Sequence, residues 1–373
     1  MSRKVVEKIN NNCYTIVGDD MYLIKDYLKF YKDTSFKEVS FNEIDNILFS
    51  ELSYLNFKNI ITNKKISINS AINLYLNSNN KDDNTTFIKE IIDNIKIIKD
   101  SKRYINCYLF NYVKEVNTKK QFGAVSIQID CKTLYISYEG TDSSMSGWKE
   151  NFEICYNFPT LSMKDAIKYL NQTSASKYKT IYVGGHSKGG NLAVISSTYA
   201  KKSIKKKIKY IYSNDGPGVP FDIYKSKEYK EIVNKIKLYM PGNSYVGTLL
   251  YQPKIEKVIK SNNFSIWEHD CNSWEVFGSF FIEGKLTKNS KDLNIRSMNF
   301  LKEFDVEKRK EMVETIFKLL AKCNVKSVSD LKKVNLEKFK ILLLGVKDID
   351  ENTKKLIFQG IKKLLFNEKN VTK

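Results

Sequence analysis

Near both ends of the chain, apolar residues recur at three- and four-residue steps, a spacing that predicts amphipathic helices. Between these apolar positions the residues are mostly polar or charged, as on helices with one face in the core. The predicted helical segments are 41–55, 85–99, 305–321, 335–345 and 351–366. The two ends of the chain are therefore expected to be helical, apart from a polar segment over 1–20.

The middle of the chain has a different pattern, in which short runs rich in β-branched and aromatic residues predict strands. The first two runs form a predicted hairpin, and after the third run strands alternate with helical stretches. The predicted strands are Tyr108–Val116, Gly123–Asp130, Leu134–Tyr138, Thr180–Val183, Ile208–Ser213, Lys235–Tyr239 and Ile255–Lys260. Helices are predicted between them at 162–171, 191–202 and 221–234. This order indicates an α/β fold with a mostly parallel sheet and helices on both faces.

The two patterns divide the chain into four parts. Residues 1–20 are expected to be a flexible N-terminus, and 21–103 a helical part packed on the core. Residues 104–285 form the α/β core, and 286–373 a helical C-terminal extension.

Composition and charge limit the class of protein. The 373 residues are 42% hydrophobic and 28% charged, as in globular proteins. Lys and Arg number 62 against 42 Asp and Glu, a formal net charge of +20. The lysines are spread among Ile and Leu, which favours a solvated basic surface over a specific nucleic-acid site. Peripheral contact with an anionic membrane is compatible with this charge.

The cysteines and the apolar runs bear on location. Six cysteines lie far apart without a CxxC pair: Cys13, Cys107, Cys131, Cys155, Cys271 and Cys323. This spacing argues against a zinc site or a dense disulfide framework and fits a reducing compartment. The N-terminus has no apolar signal region, and the longest apolar runs are about six residues. We therefore expect a cytoplasmic protein.

One motif points to chemistry. Gly185-His-Ser-Lys-Gly189 lies between a predicted strand and a predicted helix, the setting of a nucleophile elbow. In such a turn Ser187 adopts a strained conformation, and its hydroxyl projects over the N-terminus of the next helix. The glycines leave room for the close approach of strand and helix. Ser187 is thus the candidate nucleophile.

A serine nucleophile needs a base, and the chain has two histidines, His186 and His269. His186 adjoins Ser187 and would point into the packing around the elbow, so His269 is the candidate base. Asp215, in the tight Asn214–Gly218 loop after a predicted strand, is the candidate carboxylate. A turn-forming role is the other interpretation of Asp215. Asp270 adjoins His269 and would usually point away from it.

An oxyanion hole requires backbone N–H groups. The residue after the nucleophile, Lys188, would supply one of them. Thr141, which follows Gly140 after an early strand, would supply the other, unless this segment only caps a helix.

These motifs resemble known hydrolases. Glu139-Gly-Thr-x₆-Trp-x-x-Asn151, Gly185-His-Ser-x-Gly-Gly-Asn-Leu-Ala193 and a late histidine resemble the class 3 (fungal-type) lipases. The chain resembles the Mbeg-like family of bacterial α/β-hydrolases still more closely, from about Asp26 to Leu331. Further motifs carry this resemblance: Phe41–Asp45, Leu52–Leu55, Asn214–Gly218, Val246–Leu250 and His269–Trp274. It implies an α/β-hydrolase fold with a Ser/His site.

The sequence departs from the lipase pattern at two places. Glu139 stands where those lipases usually have Arg. The stretch Asn243–Gly247, where their acid lies, has no carboxylate, and Ser244 is near the acid's place. Three alternatives follow: Asp215 replaces that acid, the site is a Ser–His dyad, or catalysis has been lost.

The stretch Ser143–Tyr156 occupies the lid position of the lipases. Met145, Trp148, Phe152 and Cys155 recur there at helical spacing. Two interpretations stand: a lid over an apolar acyl pocket, or an amphipathic helix packed on the core.

The sequence thus predicts a serine hydrolase of the lipase or esterase type. It would cleave a carboxylic ester or lipid through an acyl-enzyme, without metal or organic cofactor. The same apparatus also suits thioesters and peptides. The alternative is a catalytically weak or inactive hydrolase-fold module that binds a lipid or protein partner.

Overall fold

The structure is a computed structural model. It describes residues 3–9, 12–18, 22–80, 85–173, 177–323 and 349–365. The predicted helix over 335–345 lies outside the described residues. The strands are β1 (Arg3–Ile9), β2 (Asn12–Gly18), β3 (Ile66–Ser67), β4 (Tyr108–Val116), β5 (Gln121–Gln128), β6 (Thr133–Tyr138), β7 (Thr180–His186), β8 (Ile208–Asn214), β9 (Ile236–Pro241), β10 (Ile255–Ile259), β11 (Val276–Phe277) and β12 (Phe280–Phe281).

Helices lie before, between and after the strands of the central sheet. They are α1 (Ile24–Tyr31), α2 (Glu43–Glu51), α3 (Ile68–Leu76), α4 (Thr86–Lys99), α5 (Met145–Glu153), α6 (Leu161–Gln172), α7 (Lys188–Thr198), α8 (Lys202–Lys205), α9 (Phe221–Lys225), α10 (Lys227–Lys230), α11 (Lys288–Glu303), α12 (Val306–Lys322) and α13 (Glu351–Leu365). The single helix predicted over 221–234 is divided into α9 and α10. Ser226 lies between them in an extended conformation and its side chain caps α10, accepting a hydrogen bond from the Tyr229 N–H.

Within the described residues, the central sheet has eight strands in the order β10-β9-β8-β7-β6-β5-β4-β3. The strands from β6 to β10 are parallel to one another, whereas the pairs β6–β5, β5–β4 and β4–β3 are antiparallel. The short strand β10 lies at one edge, as predicted. This arrangement confirms the α/β-hydrolase fold with a mostly parallel central sheet. The carboxyl ends of the parallel strands meet at one edge, where open α/β sheets form their sites.

Alternate residues of the strands enter two hydrophobic cores. Tyr135, Tyr182 and Tyr212 face the core that is shared with α1–α4. Their neighbours Ile136, Val183 and Ile211 face the other core, which includes residues of α6 and α7. Every residue of α7 is buried, so this helix is held on all sides behind the turn at its N-terminus.

The N-terminal helices are joined to the core by polar contacts as well as by apolar packing. The buried Asp45 on α2 accepts hydrogen bonds from Nε and Nη2 of the buried Arg103, at 2.8 and 2.5 Å. Asn46 on the same helix donates to Asn214 at the end of β8, at 2.8 Å. A buried ion pair with several additional hydrogen bonds is costly to break on one side only. α2 is therefore fixed directly beneath the strand ends.

The ends of the chain add two findings. The strands β1 and β2 form an antiparallel pair within the segment 1–20, where the pattern predicted no strand. In the C-terminal part, α13 packs on α11 and α12, and Gly360 lies against Phe300 and Met312. The four-part division of the chain stays a prediction. In the described part of the chain, no helix combines the length and the apolar character that crossing a membrane requires.

Candidate active site

Ser187 occupies a sharp turn between β7 and α7. Its backbone lies at φ 57° and ψ −129°, a sparsely populated region for a residue with a side chain. Its N–H donates to the carbonyl of Asn214 at 2.9 Å, which fixes the turn to the end of β8. Ser187 is partly exposed, whereas Lys188 behind it is buried. The turn thus presents one small hydroxyl side chain at the carboxyl edge of the sheet.

Close packing explains the two glycines of the motif. A Cβ atom on Gly189 would lie 2.2 Å from the carbonyl oxygen of Tyr138, at the end of β6. A Cβ atom on Gly185 would lie 2.4 Å from the carbonyl carbon of Gly189. Both contacts are with backbone, which cannot move aside as a flexible side chain can. The strand and the helix therefore meet at a separation that only glycine allows.

The second group of polar residues comes from the loops after β8 and β10. His269 Nδ1 and Asp215 Oδ2 are 2.6 Å apart. Asp215 is completely buried, whereas a quarter of the His269 side chain is exposed. Asp270 is directed elsewhere, since its Oδ1 accepts from the backbone N–H and the side chain of Asn272. Of the two candidate carboxylates, the structure pairs Asp215 with the imidazole.

The loop after β9 holds the other oxygen of Asp215. Ser244 Oγ donates to Asp215 Oδ1 at 2.5 Å, and the N–H of Gly247 donates to the same oxygen at 3.1 Å. This is the stretch in which the lipase-type acid is missing. The loop therefore supplies donors to a carboxylate that comes from the neighbouring strand. Sequence reasoning noted the place of Ser244 but not this contact.

The loops after β9 and β10 are also joined to each other. The buried carboxylate of Glu268 accepts from the backbone N–H of Asn243 at 2.8 Å and from the side-chain amide of Asn243. Trp274 Nε1 donates to the carbonyl of Glu268 at 2.9 Å. His269 is thereby held by the contacts of the preceding residue, Glu268, as well as by the contact of its own ring with Asp215.

His186, which precedes Ser187 in the turn, contacts the backbone of His269. Its Nε2 lies 2.8 Å from the carbonyl oxygen of His269, and its Nδ1 lies 3.0 Å from the hydroxyl of Tyr54. Burial, followed by the nearby His269, holds the pKa of His186 well below its usual range, so the ring is neutral. Because a carbonyl only accepts, Nε2 carries the proton and Nδ1 accepts from Tyr54. The two imidazole rings are 4.5 Å apart between centroids.

Thr141 and Lys188 are the residues expected to supply the two N–H groups of an oxyanion hole. Lys188 is the first residue of α7, so its backbone N–H has no acceptor within the helix. Asn151 Nδ2 donates to Thr141 Oγ1 at 2.7 Å, and Gln121 Nε2 donates to the carbonyl of Gly140 at 3.0 Å. A Cβ atom on Gly140 would lie 2.7 Å from the carbonyl oxygen of His186. The Gly140–Thr141 loop is thus fixed against the elbow.

A buried ion pair joins the elbow to α5. Lys188 Nζ donates to Glu150 Oε2 at 2.7 Å and to the carbonyl of Gln121 at 2.6 Å. Burial alone would raise the pKa of Glu150, but the charge and hydrogen bond of Lys188 and the hydrogen bonds from Ser162 bring it below its usual range. Glu150 is therefore ionised, and both buried side chains have hydrogen-bond partners.

The orientation of α5 overturns one of the two interpretations of this segment. Gly147 and Glu150 are its buried residues, whereas Trp148 and Phe152 are 40% and 49% exposed. Its apolar side thus faces away from the two cores, toward α12 and solvent, whereas Glu150 faces the protein, the reverse of a helix packed on the core. The buried charge of Lys188, which Glu150 must reach, explains the reversal. Lid motion stays a prediction.

Helix α12 holds α5 from outside. Glu314 on α12 accepts hydrogen bonds from Lys149 Nζ and from the hydroxyl of Tyr156, both at 3.0 Å. The rings of Phe152 and Phe317 are 5.8 Å apart. The C-terminal part of the chain therefore contacts the segment beside the candidate site.

Glu139 precedes the Gly140–Thr141 loop and is buried. Lys114 Nζ lies 2.9 Å from its Oε1, but Oε2 has no hydrogen-bond partner among the described residues. Burial raises the pKa of Glu139 to about 7, although Lys114 acts in the opposite direction. The position that carries Arg in the lipases thus holds a poorly solvated carboxyl group.

The chain is similar to three solved lipase structures. The M37 lipase, known from a crystal structure, has 15% sequence identity with this chain and a TM-score of 0.33. The match covers 54% of this chain and 68% of the lipase chain. The lipase from Rhizopus microsporus var. chinensis is 15% identical with a TM-score of 0.35, covering 65% and 80%. The Rhizomucor miehei lipase in its propeptide complex is 12% identical with a TM-score of 0.36, covering 66% and 75%. No curated protein matched the chain.

A family model described as Mbeg1-like matches residues 98–318, more than half of the chain. The matched range contains Ser187, His269, Asp215, Thr141 and Lys188. It confirms the family resemblance inferred from the motifs.

Proposed function

Since the chain belongs to the Mbeg1-like family, we propose that it is a serine hydrolase of the lipase or esterase type. The observation that carries the proposal is the 2.6 Å contact of His269 with the buried Asp215. Ser187 lies in a strained strand-to-helix turn, and its neighbour His186 contacts the carbonyl oxygen of His269. An imidazole oriented by a carboxylate is what a serine needs to become a nucleophile.

In the proposed mechanism, Ser187 Oγ attacks the ester carbonyl while His269 Nε2 takes its proton. Asp215 keeps the proton of His269 on Nδ1, which leaves Nε2 free to accept, and stabilises the imidazolium that forms. The protonated His269 then gives its proton to the departing alcohol. A water molecule, activated by His269, releases the acyl group from Ser187.

Negative charge develops on the carbonyl oxygen in both steps. The backbone N–H groups of Lys188 and Thr141 would donate to this oxygen, and the N-terminus of α7 would favour its charge. The contacts of Asn151 with Thr141 and of Gln121 with Gly140 support this role, because they fix the loop in advance.

The hydrolase is preferred over the inactive binding module. The module was suggested by the missing acid in the stretch Asn243–Gly247. Asp215 now supplies a carboxylate, and Ser244 from that very stretch donates to it. The Ser–His dyad was an alternative for the same reason, so the contact of Asp215 with His269 removes the ground for it as well. We therefore place the substrate among carboxylic esters, lipids included, with no cofactor and no specific nucleic acid. The cytoplasmic location stays a prediction.

Labelling of the purified protein with a fluorophosphonate tests the proposal. We expect the wild type to be labelled and Ser187→Ala not to be. His269→Ala should be labelled about 10³-fold more slowly, because the base is lost. Ser203→Ala, at an exposed serine on α8, is the matched control and should be labelled like the wild type. A folded wild type that resists labelling both with and without detergent would contradict the proposal, as would equal labelling of Ser187→Ala.

A further inference from the structure

A loop next to the candidate site exposes three large apolar side chains. It covers residues 262–267 and follows β10. The exposed fractions of Phe264, Ile266 and Trp267 are 72%, 55% and 59%. We call these three side chains the apolar tip. Single exposed apolar residues are common on proteins, but three within four positions form a patch that indicates an interaction surface.

The loop is held rigidly by hydrogen bonds. The N–H of Asn262 donates to the carbonyl of Ser273 at 2.9 Å, and Asn263 Nδ2 donates to the carbonyl of Trp267 at 3.2 Å. Ser265 has φ 55°, an unfavourable conformation that lies between Phe264 and Ile266. The exposure of the apolar tip is therefore built into the conformation of the loop.

The tip lies on the side of the molecule where a substrate would enter. Trp267 is two residues from His269, and the loop leaves the carboxyl end of β10, the sheet edge that also carries Ser187. α5 is fixed at the same edge through Glu150 and Lys188, and its Trp148 is also exposed. Two separate elements thus direct aromatic side chains to solvent around the proposed site.

The charges near the tip are mostly positive. Lys260 before the loop has a side chain that is 49% exposed, although it lies 3.7 Å from the buried Glu275. Lys285 and Lys288 are exposed and flank Thr287, which donates to Asn243, the partner of Glu268. Glu268 is buried, whereas Glu283 is exposed and Asp270 is partly exposed. With a net charge of +20 on the chain, this surface complements an anionic one.

We propose that the loop 262–267 docks the protein on an anionic lipid bilayer. The apolar tip enters the head-group region, the lysines contact acidic head groups, and the sheet edge that carries Ser187 and His269 faces the lipid. A projecting Trp and Phe on a rigid turn suit the interface between water and acyl chains, where an aromatic ring is partly buried. The proposal rests on the proposed function for its substrate class, an ester presented at a bilayer, but the docking itself does not require catalysis.

Co-sedimentation of the full chain with vesicles tests the docking. One set of vesicles is phosphatidylcholine, and the other is an equal mixture of phosphatidylcholine and phosphatidylglycerol. We expect the wild type to bind the mixed vesicles more tightly, and Phe264→Ser and Trp267→Ser each to bind about tenfold more weakly. Phe358→Ser, at a side chain on α13 that is 70% exposed, is the matched control and should bind like the wild type. If the wild type binds neither vesicle, or if Phe264→Ser and Trp267→Ser match Phe358→Ser, the proposal is overturned.

Two further measurements separate docking from catalysis and lipid from protein partners. Ser187→Ala should bind vesicles like the wild type, because docking does not require catalysis. A wild type that binds vesicles but resists fluorophosphonate labelling would contradict only the proposed function. Brominated acyl chains should quench the tryptophan fluorescence, and Trp267→Phe should remove most of that quenching. Quenching that persists in Trp267→Phe would overturn insertion of the tip. Capture of a protein by the tip without vesicle binding would also overturn the lipid assignment.

Discussion

The Ser187 turn and the loops that carry Asp215 and His269 meet at one edge of the sheet, but they are held in place differently. The turn is one continuous segment, 185–189, fixed by backbone that packs on backbone at Gly185 and Gly189. The acid and the base come from loops after different strands, and side-chain hydrogen bonds join them. One half of the site therefore depends on shape, and the other half on individual polar contacts.

This difference has a consequence for substitutions. In the turn, an added methyl group meets atoms that cannot move, so the fold itself is affected. In the acid–base loops, a lost hydrogen bond leaves the backbone in place, so the chemistry is affected first. The two halves also differ in the hydrogen bonding of their buried carboxylates. Asp215 is hydrogen bonded through both oxygens, whereas Glu139 beside the turn has one oxygen without a hydrogen-bond partner among the described residues.

The largest effect is expected from Asp215→Asn. An amide in this place can donate to Nδ1 of His269, which favours the tautomer that cannot accept the proton of Ser187. We expect kcat/KM for a short-chain p-nitrophenyl ester to fall about 10³- to 10⁴-fold. Asp270→Asn, whose side chain contacts Asn272 and not the imidazole, is the control and should stay within about threefold of the wild type. If kcat/KM falls equally in both variants, Asp215 does not have the role that the proposed mechanism gives it.

Gly189→Ala should come next, through stability. The new Cβ would lie 2.2 Å from the carbonyl oxygen of Tyr138, so we expect the free energy of unfolding to fall by about 3 kcal/mol or more. At Gly242 the nearest atom would be 3.1 Å away, and Gly242→Ala should cost less than about 1 kcal/mol. Urea denaturation measures both. A Gly189→Ala variant as stable as Gly242→Ala would show that strand and helix are not held this closely.

Glu139→Gln should change the pH dependence of stability. The pKa of about 7 lies above the ordinary 4.5, so the folded state retains a proton that the unfolded state loses between these values. The stability of the wild type therefore falls as the pH rises through that window. Glu139→Gln lacks this titration and should gain relative to the wild type by at most about 3 kcal/mol. Denaturation at a series of pH values checks this, and parallel curves for the two proteins would contradict it.

The smallest effect is expected from Ser244→Ala. Asp215 Oδ1 would lose the hydroxyl donor but keep the N–H of Gly247, so the carboxylate would remain oriented less firmly. We expect kcat/KM to fall about five- to tenfold, with Ser244→Thr restoring most of it. If Thr does not restore activity while Ala lowers it, the hydroxyl of Ser244 acts in some way other than as a donor to Asp215.

The two halves of the site also differ in how far the sequence predicts them. The turn is encoded locally, so the run from Gly185 to Gly189 between an apolar strand and a helix is enough to predict the sharp turn at Ser187. The succession of strands and helices along the chain, and with it a mostly parallel sheet, follows from the same kind of local alternation. The contact of Ser244 with Asp215 joins residues from different loops, and no local pattern specifies which side chains meet across such a distance.

Helix α5 shows a second limit of what the sequence pattern predicts. Its apolar residues follow helical spacing, which allowed either a lid or a helix packed on the core. The structure places Trp148 outside and Glu150 inside, because the buried partner, Lys188, comes from a distant part of the chain. Periodicity indicates that a helix has two faces, but a buried charge elsewhere decided which face was turned inward.

The hydroxyl of Tyr54 has a consequence for where this protein can be divided. The segment that defines the family begins at residue 98, yet Tyr54 holds the tautomer of His186, and His186 in turn holds the backbone of His269. Asn46 and Asp45 likewise reach from the first hundred residues to Asn214 and Arg103. A fragment that starts at the family boundary would contain the reacting groups and lack the residues that keep them in register. The unit that holds the proposed site together is therefore longer than the segment that the family model matches.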